Sequence, residues 1–267
     1  MGLALEVVSG RATAPGVAAF AALTPNTGNS FTVRNASFSA PIYLVSMWNK
    51  NNAVGEIRLR SPKLHDNVRG LHYKTLANDP QPFLPDRFKQ FLSPQDLLIF
   101  EIEGSAVGGQ IELGAFLVYY TDLPGASGRF ISEQQLIDRM VNLVSVRTTH
   151  AVGATGDYTG EVAFNSTDDL LKANTDYAVI GATISANALL VGLRGPDTGN
   201  LRVAVPAIAT ERQLTRHWFL SLTRFFGMPM IPVINSANKA GTLCDAVQDQ
   251  AATATSADWT IAELSAA

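Results

Sequence analysis

Apolar and polar residues alternate along short stretches of this chain. Ile57 and Leu59 stand on one side of residues 56–60, and Glu56, Arg58 and Arg60 on the other. That is the signature of a strand with one buried face. Residues 31–36, 42–48, 97–102 and 111–120 are also strand-like, rich in Val, Ile, Leu, Phe and Tyr. The pattern predicts a hairpin from 42 to 60 turning at Asn49-Lys50-Asn51-Asn52. Residues 1–30, rich in Ala, Gly, Thr and Pro, are expected to form an extended arm entering a short strand at 17–23. In the second half, strands are expected at 162–164, 177–184, 189–193, 201–205, 230–234, 243–247 and 259–264, the last corresponding to 116–120.

Helical spacing is rarer. Ser132 and Gln135 form a capping box ahead of an apolar stripe through Leu136, Met140 and Val144, which predicts a helix over 132–144. Thr210 and Gln213 form a second box before a helix at 211–226, stopped by Gly227 and Pro229. Leu214, Trp218, Leu222 and Phe225 share one face of it. Shorter helical turns are expected at 66–76, weakened by Gly70, and at 86–92, before Pro94.

The chain also repeats itself. Residues 31–45, FTVRNASFSAPIYLV, match 177–191, YAVIGATISANALLV, at six of fifteen positions at an offset of 146. Downstream, Gly55/Gly199, Arg58/Arg202 and Pro62/Pro206 align, as do His72/His217 and the two Pro-x-x-Pro segments at 82–85 and 229–232. A repeat of this length is domain-sized. The organisation predicted is a first jelly-roll-like domain at 1–128, a linking helix at 129–146 and a second such domain at 147–267. The fold class is mainly β: two tandem barrels or sandwiches from an internal duplication, each with a short helical insertion.

Composition narrows the function. Of 267 residues 46% are hydrophobic and 16% charged, with net charge −3. Such a chain folds around a core, and its low charge favours assembly. No basic run marks a nucleic-acid surface, so direct sequence-specific nucleic-acid binding is not expected. No stretch has the length and apolarity of a membrane span, and residues 1–16 do not have the pattern of a signal peptide. Cys244 stands alone, so it is read as a small buried apolar residue rather than a nucleophile.

No set of residues points to catalysis. His65, His72, His150 and His217 lack metal-ligand spacing, and His72 and His217 are read as histidines at helix–sheet contacts. A duplicated cupin would need two closely spaced histidines, which neither has. Glu101 and Glu103 share one strand face, as glycosidase carboxylates would, but are read as its solvated side. Asp168-Asp169 reads as a turn or helix start, no Asp-x-Asp-x-Asp-Gly pattern marks a calcium loop, and Asp245/Asp249 is a further acidic pair. Phe219, Phe225 and Phe226 are read as core or subunit contact. Catalytic, cofactor-binding and metal residues are therefore none, no cofactor is implied, and the chain is not expected to be an enzyme.

The paired repeat segments and their matching helix–Pro-x-x-Pro stretches resemble the double jelly-roll major capsid proteins of tailless icosahedral, often membrane-containing viruses. The resemblance implies two eight-stranded barrels side by side. Three subunits would form a pseudo-hexagonal capsomer, with neighbouring capsomers, minor capsid proteins and an internal membrane as partners. It further implies a virion location, a bacteriophage among the possible sources, and assembly in host cytoplasm. Alternatives are another virion component (spike, tail or minor capsid protein) or a duplicated β-sandwich that binds or cleaves carbohydrate.

Overall fold

The computed structural model describes residues 2–17, 19–37, 40–50, 55–64, 70–75, 90–104, 107–164, 170–185, 187–208, 211–249 and 253–266. Eighteen strands are present among them. The first half holds β1 (Ala4–Thr13), β2 (Ala21–Ala22), β3 (Thr24–Pro25), β4 (Ile42–Lys50), β5 (Gly55–Arg60), β6 (Leu71–Thr75), β7 (Gln90–Leu92), β8 (Ile99–Glu103) and β9 (Ile111–Tyr120). The second holds β10 (Phe130–Ile131), β11 (Met140–His150), β12 (Val162–Ala163), β13 (Asp176–Ile184), β14 (Ala188–Arg194), β15 (Val203–Pro206), β16 (Ile231–Asn235), β17 (Leu243–Gln248) and β18 (Thr255–Leu264).

These strands form four sheets. A large sheet in the order β3-β1-β9-β4-β7 faces a smaller one, β2-β8-β5-β6. The second half has β10-β16-β13-β18-β11 and β12-β17-β14-β15. With the short edge strands β3 and β10 set aside, each half has eight strands. In each, the first, eighth, third and sixth share one sheet, and the second, seventh, fourth and fifth share the other. That interleaving is the jelly-roll arrangement, and each half is a jelly-roll sandwich.

The halves agree in finer detail. The β4–β9 ladder runs from Ile42↔Tyr120 to Leu44↔Val118, skips Val45 and resumes at Ser46↔Leu117. The β13–β18 ladder skips Ile180 in the same place, between Val179↔Ile261 and Gly181↔Thr260. Val45 and Ile180 are therefore bulged residues at equivalent points. Phe116 and Trp259 are equivalent, as are Val8 and Val146, which face them. This pairing corrects the expected register. Leu44 takes the place of Val179, an offset of 135 rather than 146, so residues 31–36 have no strand counterpart in β13. Thr32 makes only an isolated bridge to Leu97, while Phe31 and Val33 are buried as core side chains.

Several other expectations change. The N-terminal arm is a ten-residue strand, β1, running the full length of β9 from Ala4↔Tyr120 to Thr13↔Ile111. The 42–60 hairpin does not form, because β4 and β5 lie in different sheets and the chain crosses the sandwich between them. Its turn at 51–54 lies outside the described residues, as do His65, Asp168, Asp169, Thr210 and residues 82–85. Residues 71–75 and 90–92 are strands where helical turns were expected.

The linking helix is shorter than predicted. Helix α1 (Glu133–Arg139) begins at the predicted box: Ser132 Oγ accepts from Gln135 N–H at 3.2 Å, and Gln135 Oε1 accepts from Ser132 N–H at 2.9 Å. It ends at Arg139 because the following Met-Val-Asn-Leu-Val-Ser-Val-Arg-Thr-Thr run is rich in β-branched residues and pairs with β18 instead. The second helix is broken into α2 (Arg212–Arg216) and α3 (Trp218–Phe226) at His217. Gly181 lets α2 lie directly on β13, since a Cβ there would stand 2.3 Å from the Thr215 carbonyl oxygen. The break leaves Trp218, Phe219, Leu222 and Phe226 buried, so Phe219 and Phe226 join the apolar face, Phe225 is partly exposed and Leu214 is half-buried.

Two apolar clusters result. One fills the first sandwich with Val8, Leu44, Ile57, Phe100, Phe116 and Val118. The other fills the second sandwich and continues into the outer face of the first half's large sheet, taking in Leu5, Val7, Val45, Trp48 and Leu117. One apolar cluster thus binds the two halves together.

Candidate functional site at the junction of the sandwiches

Outward-facing side chains of β1, β4 and β9 would meet water in a lone sandwich. Here Leu5, Val7, Ser9 and Trp48 are fully buried. The Trp48 indole N–H donates to the Leu189 carbonyl at 3.2 Å, and its ring meets Trp218 edge-on at 6.2 Å. The backbone N–H of Val7 donates to the Arg202 carbonyl at 2.8 Å. Tyr119 donates to the Pro229 carbonyl at 3.2 Å, and Lys50 pairs with Asp249 at 3.0 Å. These links satisfy polar groups that the apolar contact removes from water.

Beside this contact lies a polar cleft of about 620 Å³, lined from both halves. Glu6 and Arg34 come from the first; Asp157, Tyr158, Glu161, Arg194, Arg202 and Asp245 come from the second. Arg34 grips Glu6 through two bonds of 2.7 and 2.6 Å. Arg202 grips Asp245 at 2.6–3.0 Å and lies over the Tyr158 ring, 3.7 Å from its centroid. Arg194 pairs with Glu161. Tyr158 receives a bond from Ser9 at 2.9 Å and donates to Asn29 at 3.1 Å. Asp157 accepts from the Thr27 hydroxyl at 2.9 Å.

Burial sets the titration of these groups. It pushes the Asp245 carboxyl up, against the pull of Arg202, and pushes the Tyr158 phenol up to about 12. It also raises the Cys244 thiol well above its ordinary value; that cysteine is wholly buried beside Asp245. Each of the three cleft arginines is paired with an acidic side chain, so the cleft's polar groups are turned on one another.

The other sequence candidates stand apart from the cleft. Glu101 is not solvated as expected. It is buried and held by Arg58 at 2.7 Å and Arg60 at 2.7 and 3.0 Å. Burial raises its carboxyl, but the bonds from Arg60 and Arg58 outweigh burial and hold it below its usual range. Glu101 faces Arg58 across the β5–β8 ladder, and Asp245 faces Gly192 across β14–β17. Glu103 lies two residues on and is half-buried. His72 lies on strand β6, paired with Glu56 and edge-on to Phe20; His217 lies between helices, so the two are not equivalent. His150 is buried on the inner face of β11, 3.2 Å from Thr148 Oγ1. Among the described residues, no three His, Cys, Asp or Glu side chains form a group that could hold a metal ion.

Sequence reasoning found Asp245 but not the cleft. Its members are scattered from Glu6 to Asp245, and only the packing of the halves brings them together.

No protein-family model matches this chain, and no curated protein matches it. Solved structures with some overall similarity include the PBSX exported protein XepA, at TM-score 0.30 and 8% identity, covering 97% of this chain and 86% of that one. The major capsid protein P2 of bacteriophage PM2 aligns at TM-score 0.22 and 8% identity, covering 98% of each chain. A cupin 2 conserved barrel protein from Leptotrichia buccalis aligns at TM-score 0.19 and 10% identity, covering 97% and 89%. Superpositions this loose assign neither fold nor role; the jelly-roll assignment rests on the strand order of the chain itself.

Proposed function

We propose that this chain is a structural virion protein that self-assembles, as trimeric pseudo-hexagonal capsomers, into an icosahedral capsid. One observation carries the reading: two jelly rolls with the same strand order are held side by side in one fixed relation by a buried junction. Three such chains offer six similar units for tiling a shell. The mechanism is burial of apolar and small polar surface, with no bond made or broken. Matching bulges at Val45 and Ile180 support descent of both halves from one duplicated jelly roll. The chain's place is the virion, assembled in host cytoplasm. Its partners are its own copies, neighbouring capsomers, minor capsid proteins and an underlying membrane. No helix among the described residues is long and apolar enough to cross that membrane itself.

A second reading, a carbohydrate-binding sandwich or a glycosidase, takes its support from the polar cleft. Its arginines are held by Glu6, Glu161 and Asp245 within their own halves, and Ser9, Asn29 and Thr27 of the first half bond Tyr158 and Asp157 of the second, which favours a clamp between halves over a ligand site. Purified protein decides between them by solution mass and negative-stain images. Trimers with a hexagonal outline, or shells, support assembly. A persistent monomer that binds or cleaves glycans overturns it.

A further inference from the structure

The junction inside the chain joins two unlike surfaces. One is the outer face and free edge of β1 in the first half. The other is the β14–β15 edge of the second half, where the Arg202 carbonyl receives the Val7 N–H. Each surface has a counterpart in the opposite half, given by the strand order. Leu5, Val7 and Ser9 on β1 correspond to Leu143, Ser145 and Arg147 on β11. β15 ends its small sheet as β6 ends the other.

The two members of each pair differ in cover. Leu5, Val7 and Ser9 are fully buried, whereas Leu143 is 51% exposed and Ser145 and Arg147 are also exposed. β15 is buried throughout, whereas His72 and Lys74 on β6 are exposed. β11 pairs with β18 alone and ends its sheet. Its outer face continues into Val141 and Met140, and the adjoining helix adds Ile137, all exposed apolar side chains. An apolar strand edge of this length is a liability unless something covers it.

We infer that the α1–β11 face of one chain docks on the β5–β6 edge of a second copy, repeating between chains the contact that β1 and β15 make within one. This rests on the self-assembly reading and names the surfaces that reading leaves open. The Ser145 N–H would take the place of the Val7 N–H, and a carbonyl on the β6 edge of the second copy that of Arg202. Leu143 would be buried as Leu5 is. Such a contact is head-to-tail: among the described residues, β11 and β6 each end their sheets with one edge unpaired, and each chain offers both until a ring closes. The exposed apolar strip along α1 and β11 lies where that contact predicts it.

Two measurements test it on the full chain. The first compares the solution mass of the wild type and Leu143→Asp, with thermal melting as the check on folding. The second places cysteines at two exposed positions, Ser145→Cys and His72→Cys, and treats the assembled protein with a short bismaleimide; Cys244 is buried and stays unreactive. The expected result is an assembled wild type, a folded but monomeric Leu143→Asp, and cross-links joining position 145 of one chain to 72 of another. If Leu143→Asp does not fold, the cross-link decides. A wild type that assembles without that cross-link, while Leu143→Asp assembles equally well, overturns this surface and leaves the virion reading standing. A wild type that stays monomeric at every concentration overturns both.

Discussion

Trp48 and Leu189, from opposite halves of the chain, are joined by an indole N–H to carbonyl bond of 3.2 Å buried beneath Trp218. The bond explains why a tryptophan stands at the outward-facing end of β4. It fills the space against α3 and adds a second donor to a carbonyl that also accepts from the Ala207 N–H at 3.1 Å. Trp48→Ala should lower stability by about 3–5 kcal/mol through the cavity and the lost bond. Trp48→Phe should cost about 0.5–1.5 kcal/mol, chiefly the lost hydrogen bond, because the Leu189 carbonyl keeps its bond from the Ala207 N–H. Urea unfolding followed by far-UV circular dichroism measures both. A Trp48→Phe variant as stable as the wild type would mean that the hydrogen bond contributes nothing.

Arg202 and Asp245 form the most deeply buried ion pair of the cleft, with side chains 13% and 2% exposed. Removing one partner strands the other charge. Asp245→Ala should therefore cost about 3–5 kcal/mol. Replacing both residues with apolar ones of similar volume should restore most of that loss. The unfolding midpoints of the two variants give the comparison, and a double variant worse than Asp245→Ala would contradict the stranded-charge account.

His150 predicts the acid limb of stability. Its ring is fully buried, and Nδ1 has no hydrogen-bond partner among the described residues. Burial lowers its pKa from 6.5 to about 4. The folded state holds the ring neutral, so the unfolded chain binds more protons below pH 6.5. The stabilisation is complete above that pH and is lost as pH falls toward 4, reaching about 3 kcal/mol. Glu101, held below its ordinary value, adds a further loss once pH drops through its own range. Thermal melts across pH 7.5 to 4 should fall for the wild type and fall less for His150→Gln. Parallel curves would refute the role given to His150.

Local signals in the sequence located what local physics controls. The Ser132–Gln135 capping box forms as spelled, and strands at 97–102, 111–120 and 243–247 stand within a few residues of their patterns. Features that depend on partners distant in the chain were not legible. β1 looked like a loose Ala- and Gly-rich arm because only the full length of β9 beside it makes it a strand. Residues 140–144 carry an apolar spacing that suits a helix, and β18 decides for a strand. The six matches at offset 146 joined residues that the ladders separate, whereas the bulges at Val45 and Ile180 are invisible without the pairing. Glu101 looked solvated because nothing local reveals that Arg58 and Arg60 both turn onto it.

The account stands or falls on whether three chains place six jelly rolls in a ring. Electron cryomicroscopy of the purified assembly, averaged in end view, measures this directly. The predicted image is a ring of six similar lobes, with near-sixfold symmetry at low resolution resolving into threefold symmetry as the two halves become distinct. A two-lobed monomer, or a dimer closed about a twofold axis, would contradict it.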